Sequence, residues 1–153
     1  MSSTITIRRP VTILLLLVVT AAIVLVTVLL SGKSYSKVDV QPFKEIKTLR
    51  DRTRPIATPI LAVIVMPMIG NVLLFVPWGF LMFIALYTVD RPTVQTYILT
   101  ILLGFTFTVG IEAWQYFLPS RVVDVNDVIY NTLGTVLGAV LGHARLRVRF
   151  EFE

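Results

Sequence analysis

Residues 112–131 read EAWQYFLPSRVVDVNDVIYN. The stretch carries Glu112, Gln115, Arg121, Asp124, Asn126, Asp127 and Asn131, yet a long apolar run stands on either side of it. Two such runs joined at Pro119-Ser120 predict a helical membrane hairpin. Hydrocarbon offers polar groups no hydrogen bonds, so this many of them at a hairpin must face one another, water or a ligand. The hairpin is therefore the candidate site.

The rest of the chain agrees with lipid as its bulk solvent. Its 153 residues are 56% hydrophobic with a mean hydropathy of +0.82, far more apolar than a soluble domain. The absence of Cys excludes disulfides, thiolate metal sites and cysteine nucleophiles. The formal charge of +5 comes mostly from residues 31–59 and the C-terminal tail. In a membrane protein such charge meets anionic lipid headgroups more often than nucleic acid, so membrane lipids are the expected partners and nucleic acid is not.

Working outward from the hairpin, the preceding span is predicted over 94–117 and the following one over 124–143. Thr100, Gly104, Thr108, Glu112 and Gln115 recur at helical spacing, a small and polar stripe that should face the bundle interior. In the last span Gly134, Gly138 and Gly142 recur every fourth residue, which lets another helix backbone come close. Asp90-Arg91-Pro92 reads as a tight polar turn, with Thr93 as a helix cap.

Further upstream, the apolar run from Ile60 to Val89 would make a helix about 45 Å long, too much for one straight span. Pro67 and Gly70-Asn71 are the candidate breaks, which predicts a short interfacial or re-entrant piece and a second span over 70–89. The first span is residues 11–30, uncharged and long enough to cross. Arg8-Arg9 ahead of it resembles a signal peptide, but the run is too long and its cleavage site poor, so an uncleaved anchor is expected. Between these spans, residues 31–59 hold seven Lys or Arg against three acids. Pro42 there can open a surface helix in which Phe43, Ile46 and Leu49 alternate with Lys44, Lys47 and Arg50; a solvated linker is the alternative.

The fold class is thus an all-α integral membrane protein, a four-transmembrane-helix bundle with a short interfacial or re-entrant segment before the second span. Charge decides orientation poorly. With the N-terminus inside, six Lys and Arg lie in the cytoplasm and eight outside. Arg8-Arg9 at the first span favours both termini in the cytoplasm, residues 31–59 and the hairpin outside, and 144–153 as a cytoplasmic tail.

Three blocks then carry a resemblance. Gly70-Asn71 with Phe75, Pro77 and Gly79 comes first, Glu112-x-x-Gln115 second, and Arg121-x-x-Asp124-x-x-Asp127-x-x-x-Asn131-x-x-Gly134 third. In this order they resemble the signature of VanZ-like membrane proteins, over roughly residues 40–143, and Pro42-Phe43 is similar to that family's first loop. The founding member of the family confers low-level resistance to the glycopeptide teicoplanin. The resemblance implies a cell-envelope protein, with a lipid-linked cell-wall precursor or a lipidated glycopeptide as possible ligand.

Read from chemistry alone, Asn71, Glu112, Gln115, Arg121, Asp124, Asp127 and Asn131 form the candidate ligand-binding set. Asp124 before an apolar run, with Asp127 three residues on, also reads as an N-cap pair. Arg121 can fork onto Asp124, Asp127 or Glu112, and a purely structural network between the last two spans needs nothing more. Glu112, Asp124 and Asp127 are the candidates for catalysis, as general acid or base on a lipid-linked phosphate or ester, or as oxygen ligands for Mg²⁺ or Ca²⁺. No metal motif and no nucleophile with a dedicated base is present, so a non-enzymatic site that binds or moves an amphiphile is the preferred reading and an intramembrane enzyme the alternative. His143, Trp78 and Trp114 are expected to serve packing or the interfacial belt.

Overall fold

The computed structural model of the chain describes residues 9–29, 38–43, 47, 50, 58–118 and 123–150. Among them run α1 (Arg9–Leu29), β1 (Val38–Asp39), α2 (Thr58–Leu86), α3 (Thr93–Tyr116), β2 (Val123–Asp124) and α4 (Val125–Phe150). Arg9–Thr27, Val65–Leu86 and Thr93–Tyr116 are each long and apolar enough to cross a membrane. The described chain is mostly helical, with two short strands and short turns, and its apolar helices make it a membrane protein.

The expected break before the second span is not seen. α2 runs unbroken for 29 residues with Pro67 and Pro77 inside it, so among the described residues no separate interfacial piece is set off from the span. Both prolines are exposed, away from the packed face, so their rings disturb no helix–helix contact. Helices in apolar surroundings tolerate proline when neighbouring groups take up the freed carbonyls. At its far end α2 stops at Leu86, where Arg91 Nη1 donates to the Leu86 carbonyl at 2.6 Å, and Arg91 N donates to Thr88 O to close the polar turn. α3 then starts without the Thr93 cap: Pro92 holds the capping position, and its carbonyl accepts from Gln95 N and Thr96 N.

Five hydrogen-bonded pairs set the helix directions. Asn71 meets Asp127 and Thr108 meets Asn131 near one end, whereas Tyr97 meets His143 at the other. α2 and α4 therefore run parallel with α3 opposed to both, and Thr20–Trp78 with Thr27–Gln115 lays α1 along α3's direction. Leu29, Asn71, Gln115 and Asp127 share what we call the hairpin end; Arg9, Leu86, Thr93 and His143 share the turn end.

Glycine spacing sets the tightest seam. A Cβ at Gly134 or Gly138 would run into the carbonyl oxygens of Val72 and Val76, and one at Gly142 would stand 3.2 Å from Phe80 O. The four-residue glycine repeat of α4 thus lies on the backbone of α2. Thr135 stands between two further glycines, since a Cβ at Gly79 would strike its carbonyl and one at Gly104 would stand 2.6 Å from its Cγ2. The small and polar stripe of α3, Thr100 to Gln115, is buried.

The apolar core gathers Ile23, Phe75, Trp78 and Ile111, with Phe107 stacked on Trp78 at 5.5 Å between ring centroids. Trp78 Nε1 donates to Thr20 Oγ1 at 3.1 Å, so this Trp ties α1 to α2. Leu14, Leu17, Leu25, Leu102 and Leu133 stay exposed, as side chains facing hydrocarbon do. α4 differs from the other three helices: Asn126, Asp127 and Asn131 open it and Arg145, Arg147 and Arg149 lie near its end. The helix continues through Phe150, into the residues expected as a tail.

Candidate functional site

At the hairpin end the chain folds its polar residues back on helix termini. Asp124 directly precedes α4, and its Oδ1 accepts from Asn126 N at 2.8 Å, the bond of an N-cap. Its own N–H donates to Glu112 Oε2 at 3.0 Å, so the buried Glu112 of α3 is held against the start of α4. One turn deeper, Asn71 Nδ2 of α2 donates to Asp127 Oδ1 at 2.5 Å. Another turn in, Asn131 Nδ2 donates to Thr108 Oγ1 at 2.8 Å, while Asn131 Oδ1 is buried without a partner among the described residues.

The first loop closes over this arrangement. β1 pairs with β2 in parallel, Val38 opposite Val123 and Asp39 opposite Asp124. Asn126, only 2% exposed, accepts from Phe43 N at 2.7 Å and donates to Gln41 O at 3.2 Å. Phe43 takes φ of 58°, a left-handed conformation that a bulky residue adopts only when its surroundings impose it. The bond to Asn126 is that constraint. Asn126 stands in the hairpin's polar run but its clasp joins residues more than 80 positions apart, which no local pattern announces.

Five of the seven candidate binding residues gather at the hairpin end. Glu112 and Asp124 meet directly, Asn71 and Asp127 meet directly, and Asn131 follows one turn deeper on α4. Gln115 turns the other way, toward α1, where its Nε2 reaches Thr27 O at 3.5 Å. Arg121, Pro119 and Ser120 lie outside the described residues, and so does most of the expected surface helix. Of that helix, Asp39 belongs to β1, Pro42 and Phe43 to a turn, and Lys47 and Arg50 are helical.

Chemically, Glu112 and Asp124 each hold a backbone amide with a carboxylate oxygen. Among the described residues no three His, Asp or Glu side chains gather closely enough to hold a metal ion, so the Mg²⁺ or Ca²⁺ reading finds no ligand cluster there. His143 packs at the turn end, with its Nδ1 2.9 Å from Tyr97 OH and its ring beside Phe83.

The order of these residues along the chain, with a polar hairpin end beneath a clasped first loop, can be set beside known families. The family model described as VanZ/LLP1 matches residues 11–146. The chain belongs to the VanZ/LLP1 family. No curated protein and no solved structure matches it. For this VanZ/LLP1 member the matched region takes in all four described helices but the ends of α1 and α4, and with them every residue of the hairpin-end arrangement.

Proposed function

We propose that this VanZ/LLP1 member is an envelope protein whose hairpin end is a polar site for an amphiphile, such as a lipid-linked wall precursor or a lipidated glycopeptide, and that it contributes to teicoplanin-type glycopeptide resistance. The single observation that carries the reading is the Asn71–Asp127 pair. Asn71 stands inside the apolar stretch Val65–Leu86 of a helix that begins at Thr58, which sets the carboxylate it holds beside membrane-spanning residues. A carboxylate so placed is expensive to keep, and such groups mark binding or transport sites.

In this proposal α4 is a fourth span. Support comes from the glycine seam, since a helix parallel to α2 and in contact with it from Val72 to Phe83 shares its depth. Both termini are cytoplasmic and the hairpin end faces outward, where an amphiphile of the outer leaflet would meet it. Asn71, Glu112, Gln115, Arg121, Asp124, Asp127 and Asn131 form the binding set, with Asp127 at its centre.

The test compares teicoplanin and vancomycin susceptibility of cells with and without the protein. Cells carrying it should tolerate more teicoplanin, and Asp127→Asn at equal membrane abundance should return them to the sensitivity of cells lacking it. Equal teicoplanin sensitivity with and without the protein removes the resistance role. Full protection by Asp127→Asn removes the site.

A further inference from the structure

The polar hairpin end accounts for five of the six described members of the binding set, and the sixth, Gln115, turns toward α1. It lines a groove of about 400 Å³ between α1 and α3, a volume within the range of small-ligand sites. Val24 and Thr27 form one wall, and Phe107, Gly110 and Trp114 the other. These residues lie in the later turns of both helices, so the groove belongs to the leaflet on the hairpin side. Both helices are apolar enough to cross a membrane, and the groove is open, so hydrocarbon is what it meets.

Two features make this groove more than a gap between helices. Gly110 leaves it a floor without a side chain, and a Cβ there would have nothing within 4 Å. At its polar end Gln115 is 3% exposed, and its Oε1 is buried with no hydrogen-bond partner among the described residues. An amide oxygen buried without a donor is costly, more so in apolar surroundings. A plain hydrocarbon chain would fill the groove and leave that oxygen unsatisfied. An ester-linked chain would bring only further acceptors.

We propose that the groove between α1 and α3 binds an acyl chain whose linkage to its head carries an N–H or O–H donor, with the chain lying along Gly110 and the donor on Gln115 Oε1. This deepens the amphiphile reading of the hairpin end, on which it rests, by assigning the chain its own berth and the linkage its own contact. The head would then lie toward the hairpin-end carboxylates. Selectivity comes from Gln115, and capacity from the missing side chain at Gly110.

The experiment uses the full chain in phosphatidylcholine vesicles and two amphiphiles that share one diazirine-bearing acyl chain, joined to the same head by an amide in one and an ester in the other. After illumination, labelling of the peptide that spans Gly110 is read by mass spectrometry. The amide probe should label about five-fold more than the ester, the worth of one hydrogen bond. Gly110→Leu should lower labelling by both probes about tenfold, the loss of roughly two buried methylenes. Gln115→Leu should erase the amide preference while keeping labelling at the ester level.

Equal labelling of wild type and Gly110→Leu, with Gly110→Val as a second filler, overturns the groove. Equal labelling by the two probes in wild type overturns the donor contact. Both are read in vesicles without cells or antibiotic, so they stand apart from the susceptibility test: loss of the resistance role leaves this result in place, and the reverse.

Discussion

Asn126 is the residue on which the hairpin end closes. Its side chain satisfies Phe43 N and Gln41 O and its own N–H is held by Asp124, so one buried amide joins the first loop to the start of α4. Asn126→Ala leaves a donor and an acceptor unmatched, about 1–3 kcal/mol of local stability. Amide exchange at Phe43 should then speed by about tenfold or more while α2 amides keep their protection. Unchanged exchange at Phe43 would show that other contacts hold the loop. At this scale the sequence was readable wherever chemistry is local. Asp124 precedes an apolar run, and it does cap α4. The clasp was not readable, because Gln41 and Phe43 say nothing of a partner more than 80 residues on. Nor did spacing distinguish Gln115 from Glu112: they share a buried face of α3, yet one reaches α4 and the other α1.

Between elements, the seam of α2 on α4 holds the site in register. The glycine repeat announced a close approach in the sequence; which helix would fill it depended on tertiary contacts that spacing does not encode. Gly138 sits against Val76 O and Phe80 N, so any side chain there forces two backbones apart. Gly138→Ala should lower stability by about 1–3 kcal/mol in denaturant unfolding in detergent, as overpacking does. Gly110→Ala meets open space inside a helix and should cost nothing, raising stability by up to about 1 kcal/mol. A harmless Gly138→Ala would mean the seam is looser than described. The expected break at Pro67 or Gly70-Asn71 does not occur, because α2 continues through both. Both prolines lie on the exposed side of α2, where their rings meet no neighbouring helix.

Across the whole molecule, alternating helix directions bring the polar termini of α3 and α4, the Asn71 turn of α2 and the first loop to one end. The aromatic group of Phe83, Tyr97 and His143 occupies the other end. Composition made the membrane class plain, but it left the sidedness open, because Lys and Arg are divided six to eight. In the proposed function the polar end opens away from the cytosol. Val40, 72% exposed beside the clasp, and Val89, 91% exposed in the turn between α2 and α3, report on the two ends. With each replaced singly by Cys in this cysteine-free chain, an impermeant thiol reagent applied to intact cells should label Val40→Cys and spare Val89→Cys until the membrane is opened. Labelling of Val89→Cys with protection of Val40→Cys would place the polar end in the cytosol and contradict the account.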